Sequence, residues 1–202
     1  MKQVVDLTMM LQTGMAVYPG DPPVELRPHF SIEQDGCRVK ALSMGTHSGT
    51  HVDLPAHFLK KGETADTISL TGCFGAAFAV RALVRDGQVM IPDGEIPPCE
   101  FLLLYTGYEK RLNRGDYFHS PAFSRELTDF LVDRKIRAVG VDMPTVDHDG
   151  ECHRRLLESG ILIYEGLVNL ETVAGKKGVF YGFPLKLADG DASPVRAVFC
   201  ME

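Results

Sequence analysis

The chain has 202 residues, 45 % of them hydrophobic and 24 % charged, a mix that suits one soluble globular domain with a substantial core. A net charge of −6, without any run of Lys or Arg, argues against nucleic acid or an anionic membrane as the main partner and leaves a small-molecule substrate. Five cysteines, an odd number without C-x-x-C spacing, indicate a reduced compartment.

In the N-terminal stretch MKQVVDLTMML, Asp6 interrupts a short apolar run, so a signal peptide is not expected. No apolar run approaches the roughly 20 residues that span a bilayer, so a cytoplasmic protein is expected. Residues 4–9 read as a first strand, and YPGDPP (18–23) as a loop stiffened by three prolines. Residues 38–44, 76–84 and 100–106 are strand-like. Residues 121–135 have helical periodicity, with Phe123, Leu127, Phe130 and Leu131 on one face and Ser120-Pro121 as the entry. Residues 136–143 read as a buried strand. Residues 151–159 form a short helix with Asp149 as candidate cap and Gly160 as stop. Residues 161–165 are an apolar strand, and 178–187 the last clear strand candidate. Strands and helices are mixed throughout, which indicates an α/β or α+β fold over a single domain, 1–202.

Three of the seven histidines fall within residues 47–57, in the pattern H-x-x-x-H-x-D-x-x-x-H. Neutral imidazoles beside a carboxylate suit zinc, and also manganese or iron. Gly45, Gly49, Val52 and Pro55 oppose a helix. In an extended chain His51 and Asp53 share a face about 6–7 Å apart, near enough to hold one ion. His47 would then lie about 13 Å from His51, so the glycines must bend the chain if all three share a metal. Pro55 lets His57 fold back toward the same place.

A second group comes from further along. His153 sits in the first turn of the helix over 151–159, and the strand 161–165 returns along it, so Glu165 ends beside His153.

The segment HSGTHVDLPAHF (47–58) resembles the cyclase family that includes bacterial kynurenine formamidase and isatin hydrolase. DLT and YPGD near the N-terminus, LLLYTGY (102–108) and HRRLLESGILIYEGLVNL (153–170) extend the resemblance over nearly the whole chain. It implies a swivelling β/β/α arrangement of mixed sheets and a homodimer or higher homo-oligomer. It also implies one or two divalent metals, zinc first and manganese second. His47, His51 and Asp53 would hold a first ion, and Asp53, His153 and Glu165 a second, with Asp53 and Glu165 bridging. His57 would donate and accept the proton. The activity implied is hydrolysis of an amide-type bond, in an N-formyl aromatic amine or a cyclic amide, by metal-activated water. The chain departs from the formamidases at Tyr18, where they usually carry a tryptophan against the substrate; this chain has no Trp. MPTVDHDGECH (143–153) also differs from their serine-containing lead-in to the histidine.

Other residues weigh less. His148 lies in an Asp-rich turn and reads as solvated, Cys152 yields to its neighbour His153, and His29 and His119 have no partners nearby in sequence. Ser43 and Ser48 lack a nucleophile-elbow context. A cupin-like metal dioxygenase and a non-catalytic protein that binds small molecules through metal are the alternatives. Cupin spacing is absent, and His57 argues against the second.

Overall fold

Short apolar stretches separated by turn residues build a mixed sheet, and three helices are added to it. The computed structural model describes residues 3–201. The first strands are β1 (Val4–Asp6), β2 (Glu25–Phe30), β3 (Val39–Ser43) and β4 (His51–Asp53). Next come β5 (Phe74–Arg81), β6 (Leu83–Arg85), β7 (Gln88–Met90), β8 (Phe101–Tyr105) and β9 (Ala122–Phe123). The last are β10 (Ala138–Val141), β11 (Leu162–Glu165), β12 (Lys177–Tyr181), β13 (Ala192–Pro194) and β14 (Val198–Met201). The helices are α1 (Ile32–Asp35), α2 (Arg125–Asp133) and α3 (Glu151–Glu158).

Nine strands form one sheet in the order β1-β14-β12-β5-β8-β10-β11-β4-β13. Its centre, β5-β8-β10-β11, is parallel, and the flanks are antiparallel. Every residue of β8, β10 and β11 is buried, as expected of parallel strands covered on both faces. Alternation along the strands divides the core in two. Phe101, Leu103, Tyr105 and Tyr164 face one apolar cluster with Val52, Leu54 and Phe180. Leu102, Leu104, Val139 and Ile163 face the other, with Leu127 and Leu131 of α2 and Leu156 of α3. This is the mixed α/β fold that the alternating pattern indicates.

Several boundaries differ from the expectation. The helix expected over 121–135 starts later. Ser124 caps α2 by accepting from the Leu127 amide at 3.1 Å, while Ala122 and Phe123 pair with β7 instead. The stretch 76–84 divides between β5 and β6, because β6 turns back onto β7 through Asp86-Gly87. Both turn residues have positive φ, the two-residue hairpin geometry that Asp-Gly favours. The strand expected over 178–187 ends at Tyr181, and β13 and β14 follow it.

The topology positions the site. Glu165 ends β11, so it sits at the carboxyl ends of the parallel strands, where open α/β sheets bind ligands.

Candidate metal centre

The short strand β4 lies between β11 and β13, with His51 opposite Glu165 and Pro194, and Asp53 opposite Ile163 and Ala192. Alternation puts His51 and Asp53 on one face, while Val52 is fully buried in the core behind them. The bend needed to bring His47 back occurs at Gly49, whose φ is +68°, a region that suits glycine. His57 is turned inward by a 3₁₀ turn that begins at Pro55. His153 comes from the first turn of α3, as the spacing suggested.

The fixed hydrogen-bond acceptors define which imidazole nitrogens carry protons. The Gly49 carbonyl can only accept, so His51 Nδ1, at 3.0 Å, is the N–H and Nε2 holds the lone pair. The Asp147 carboxylate, 2.6 Å from His153 Nδ1, assigns that ring the same way. Both lone pairs then point at carboxylate oxygens. His51 Nε2 is 3.3 Å from Asp53 Oδ1 and 3.5 Å from Glu165 Oε2. His153 Nε2 is 3.3 Å from Asp53 Oδ2 and 3.2 Å from Glu165 Oε1. His47 Nδ1 lies 2.9 Å from Asp53 Oδ1, with its Nε2 3.0 Å from Asp191 Oδ2. Each Asp53 oxygen thus faces a different histidine group.

Lone pairs aimed at carboxylates repel unless a cation lies between them. His51 Nε2 and both Asp53 oxygens are buried without a hydrogen-bond partner. Two clusters have ligand atoms close enough together to hold an ion: His51, Asp53 and Glu165, and His47, Asp53 and His57. In the metal-free chain, protons play the cation's part. Burial lowers the histidines' basicity, but hydrogen bonds to carboxylates outweigh it. Asp191 and Asp53 raise His47 to about 9, and Asp53 and Glu165 raise His51 to about 10. His153 is raised as well, chiefly by Asp147 against its burial. Asp53, despite its burial, is held well below the ordinary carboxylate range by His153, His47 and His51. The donor set and its orphaned atoms fit a divalent transition metal. His57 behaves oppositely: burial lowers it, and the repulsion of His47 and His153 adds to that against Asp53 and Asp191.

These groups open into a cavity of about 250 Å³ whose apolar wall includes Met9, Val17, Tyr18, Phe58, Tyr117 and Phe118. Tyr18 meets Phe118 edge-on, ring centroids 5.6 Å apart.

The family model Cyclase matches residues 5–148. The chain belongs to the cyclase family. A kynurenine formamidase of Bacillus cereus is 34 % identical over 202 residues, covering 96 % of this chain and 95 % of that one. A solved structure described as a potential metal-dependent hydrolase with cyclase activity superposes with a TM-score of 0.82 at 26 % identity, over 100 % of this chain and 99 % of the other. Isatin hydrolase A from Labrenzia aggregata, bound to benzyl benzoate, shares the fold with a TM-score of 0.86 at 23 % identity, over 99 % of this chain and 94 % of that one.

The structure brings His47, His51, Asp53, His57, His153, Glu165 and Tyr18 around one cavity. His148 is exposed, with Nε2 donating to the Ser120 carbonyl at 2.8 Å. Cys152 Sγ is engaged with Thr128 Oγ1 at 3.2 Å, on the core side of α3. Two aspartates escape the sequence reading. Asp147, rather than Asp149, caps α3: it accepts from the Gly150, Cys152 and His153 amides as well as from the His153 ring. Its signal was its place three residues before Gly150, ahead of a helix. Asp191 lies just before β13, and no motif spacing links it to residues 47–57.

Proposed function

We propose that this chain is a metal-dependent amidohydrolase in which His47, His51, Asp53, His153 and Glu165 hold one or two divalent ions, zinc first and manganese second. The observation that carries the reading is the set of imidazole lone pairs and orphaned Asp53 oxygens converging on one buried point. A bound ion of this kind supplies Lewis acidity and a water whose pKa falls to about 7. The chain's residues supply the rest. His57, kept unprotonated near neutral pH by its burial, can take a proton from the attacking water. It then returns that proton to the departing nitrogen, without which an amine is a poor leaving group. Tyr18, Phe118 and Phe58 form an aromatic wall that holds a ring and excludes water from the reacting carbonyl.

An N-formyl aromatic amine is the preferred substrate class, in line with the relatives named kynurenine formamidase, and a cyclic amide of similar size is the second. The neutral His57 facing this wall favours catalysis over metal-assisted binding alone. Two further expectations are a homo-oligomer, implied by the family resemblance, and a cytoplasmic location, read from the cysteines and the want of a long apolar run; sedimentation and cell fractionation test them. No helix among the described residues is long and apolar enough to cross a membrane.

The test is metal analysis of the purified protein together with turnover of N-formylkynurenine, isatin and simple cyclic amides. In the same assays His57→Asn should keep its metal while kcat falls by about 10²- to 10⁴-fold. Loss of metal in that variant would instead make His57 a ligand, a role its place beside His47 and Asp53 allows.

A further inference from the structure

We infer that Asp191 is the positioning residue for proton transfer: its carboxylate fixes the tautomer and orientation of His57 while tying that ring to the metal-binding His47. The inference rests on the amidohydrolase reading and deepens it. Asp191 Oδ2 lies 3.3 Å from His57 Nδ1 and 3.0 Å from His47 Nε2. Asp191 Oδ1 accepts from the Thr46 hydroxyl at 3.0 Å, so the carboxylate cannot rotate freely. The backbone is anchored too, with the Asp191 carbonyl accepting from the Leu54 amide at 3.1 Å. Asp191 is therefore held on both sides of the strand that carries Asp53, by its main chain to Leu54 after it and by its side chain to Thr46 before it.

A carboxylate has no proton to give, so both ring atoms facing Oδ2 must be N–H groups. For His57 this leaves Nε2 as the basic nitrogen. In the proposed reaction, the water O–H bond breaks as Nε2 gains the proton, and the oxygen's electron pair forms the bond to the carbonyl carbon. The same proton then passes from Nε2 to the departing nitrogen as the C–N bond breaks. The Nδ1 proton stays with Asp191 throughout, and the transient imidazolium is stabilised by the adjacent anion. The two rings lie close but tilted, with centroids 4.1 Å apart and planes inclined by 43°, so packing alone does not fix His57 relative to His47.

The test compares Asp191→Ala and Asp191→Asn with the natural chain, loaded with zinc. Asparagine can still place an oxygen at the Oδ2 position but lacks the charge, whereas alanine removes both. Asp191→Ala should lower kcat on an N-formyl arylamine about 100-fold with KM within about threefold, and Asp191→Asn about 10-fold, both at full metal content. On an activated aryl ester, whose leaving group needs no proton, either loss should shrink to about threefold or less. ¹⁵N NMR of the histidine rings should show His57 as the Nδ1–H tautomer in the natural chain and as a mixture in Asp191→Ala. That readout requires no turnover, so an inactive natural chain would reject the amidohydrolase reading and still test Asp191. Equal losses on amide and ester, loss of zinc from Asp191→Ala, or an unchanged His57 tautomer would each overturn the inference.

Discussion

Replacing Asp147 by alanine separates a helix cap from a metal support, because one carboxylate does both. The side chain accepts from the amides of Gly150 at 3.2 Å, Cys152 at 2.5 Å and His153 at 3.2 Å, and from His153 Nδ1 at 2.6 Å. Losing the cap of α3 costs about 0.5–2 kcal/mol. Losing a negative charge at a helix N-terminus costs about 0.3–1 kcal/mol more. The metal-free protein should therefore lose about 2 kcal/mol, which for a chain of this size lowers Tm by about 4–8 °C. The second effect is on the ion. Without Asp147 the His153 ring can rotate and exchange tautomers, and losing such a partner typically weakens metal binding about 10- to 100-fold. Asp149→Ala is the control: its carboxylate accepts only from the exposed Glu151 amide, at 3.0 Å, so Tm should move by less than about 2 °C. Calorimetry with chelator measures the first effect, and competition against a chromogenic chelator the second. Equal Tm shifts at Asp147 and Asp149, or an unchanged zinc affinity in Asp147→Ala, would refute this account of the α3 terminus.

The histidines give a pH signature. His47 and His51 are raised to about 9 and about 10 in the metal-free chain, above the unperturbed 6.5, so their stabilisation is complete below pH 6.5 and is lost as pH rises through 9–10. The chelated protein's Tm should fall over that interval while zinc affinity rises, because the ion displaces the same protons; a flat Tm would count against the proposed cluster. Gly49→Ala should destabilise by about 1–3 kcal/mol and release metal, since φ is +68° and the new Cβ would lie 2.7 Å from Leu11 Cδ2. Trimming the neighbour in Gly49→Ala/Leu11→Ala removes the clash and not the backbone strain, so full recovery of Tm would show that the bend matters less than the contact. Tyr18→Ala should raise KM for aromatic substrates more than it lowers kcat, because a wall that meets Phe118 edge-on binds ground and transition states alike. An unchanged KM across several such substrates would place their rings elsewhere.

Much of the sheet could be read from local chemistry, because its central strands are buried on both faces and show as continuous apolar runs such as FLLLY and LIYE. The strands that were missed lack that mark. β2 carries Pro28 and charged residues and has no buried position, and β13 is only Ala-Ser-Pro. The late start of α2 has a similar cause. Phe123 fits the helical stripe by spacing alone, but the two residues before Ser124 pair with β7, and tertiary pairing overrode a periodicity that the sequence carries in both conformations.

The six ionisable groups around the cavity were legible for a different reason: all of them lie where local geometry alone can join them. His47, His51, Asp53 and His57 share one short bent segment, and His153 and Glu165 are joined by a helix, a Gly160 reversal and a returning strand. Asp191 is 144 positions from His47 and 134 from His57, and it reaches them only because β13 pairs with β4. That pairing has no sequence signature, since β13 is three residues long and its partner is as short. Asp147 failed for the opposite reason. It was too near a better-looking candidate, Asp149, and only the positive φ of Gly150 turns the earlier carboxylate back over the first amides of α3. In both cases the overlooked residue holds a ring in place, and residues that orient ligands are bound by contacts rather than by spacing.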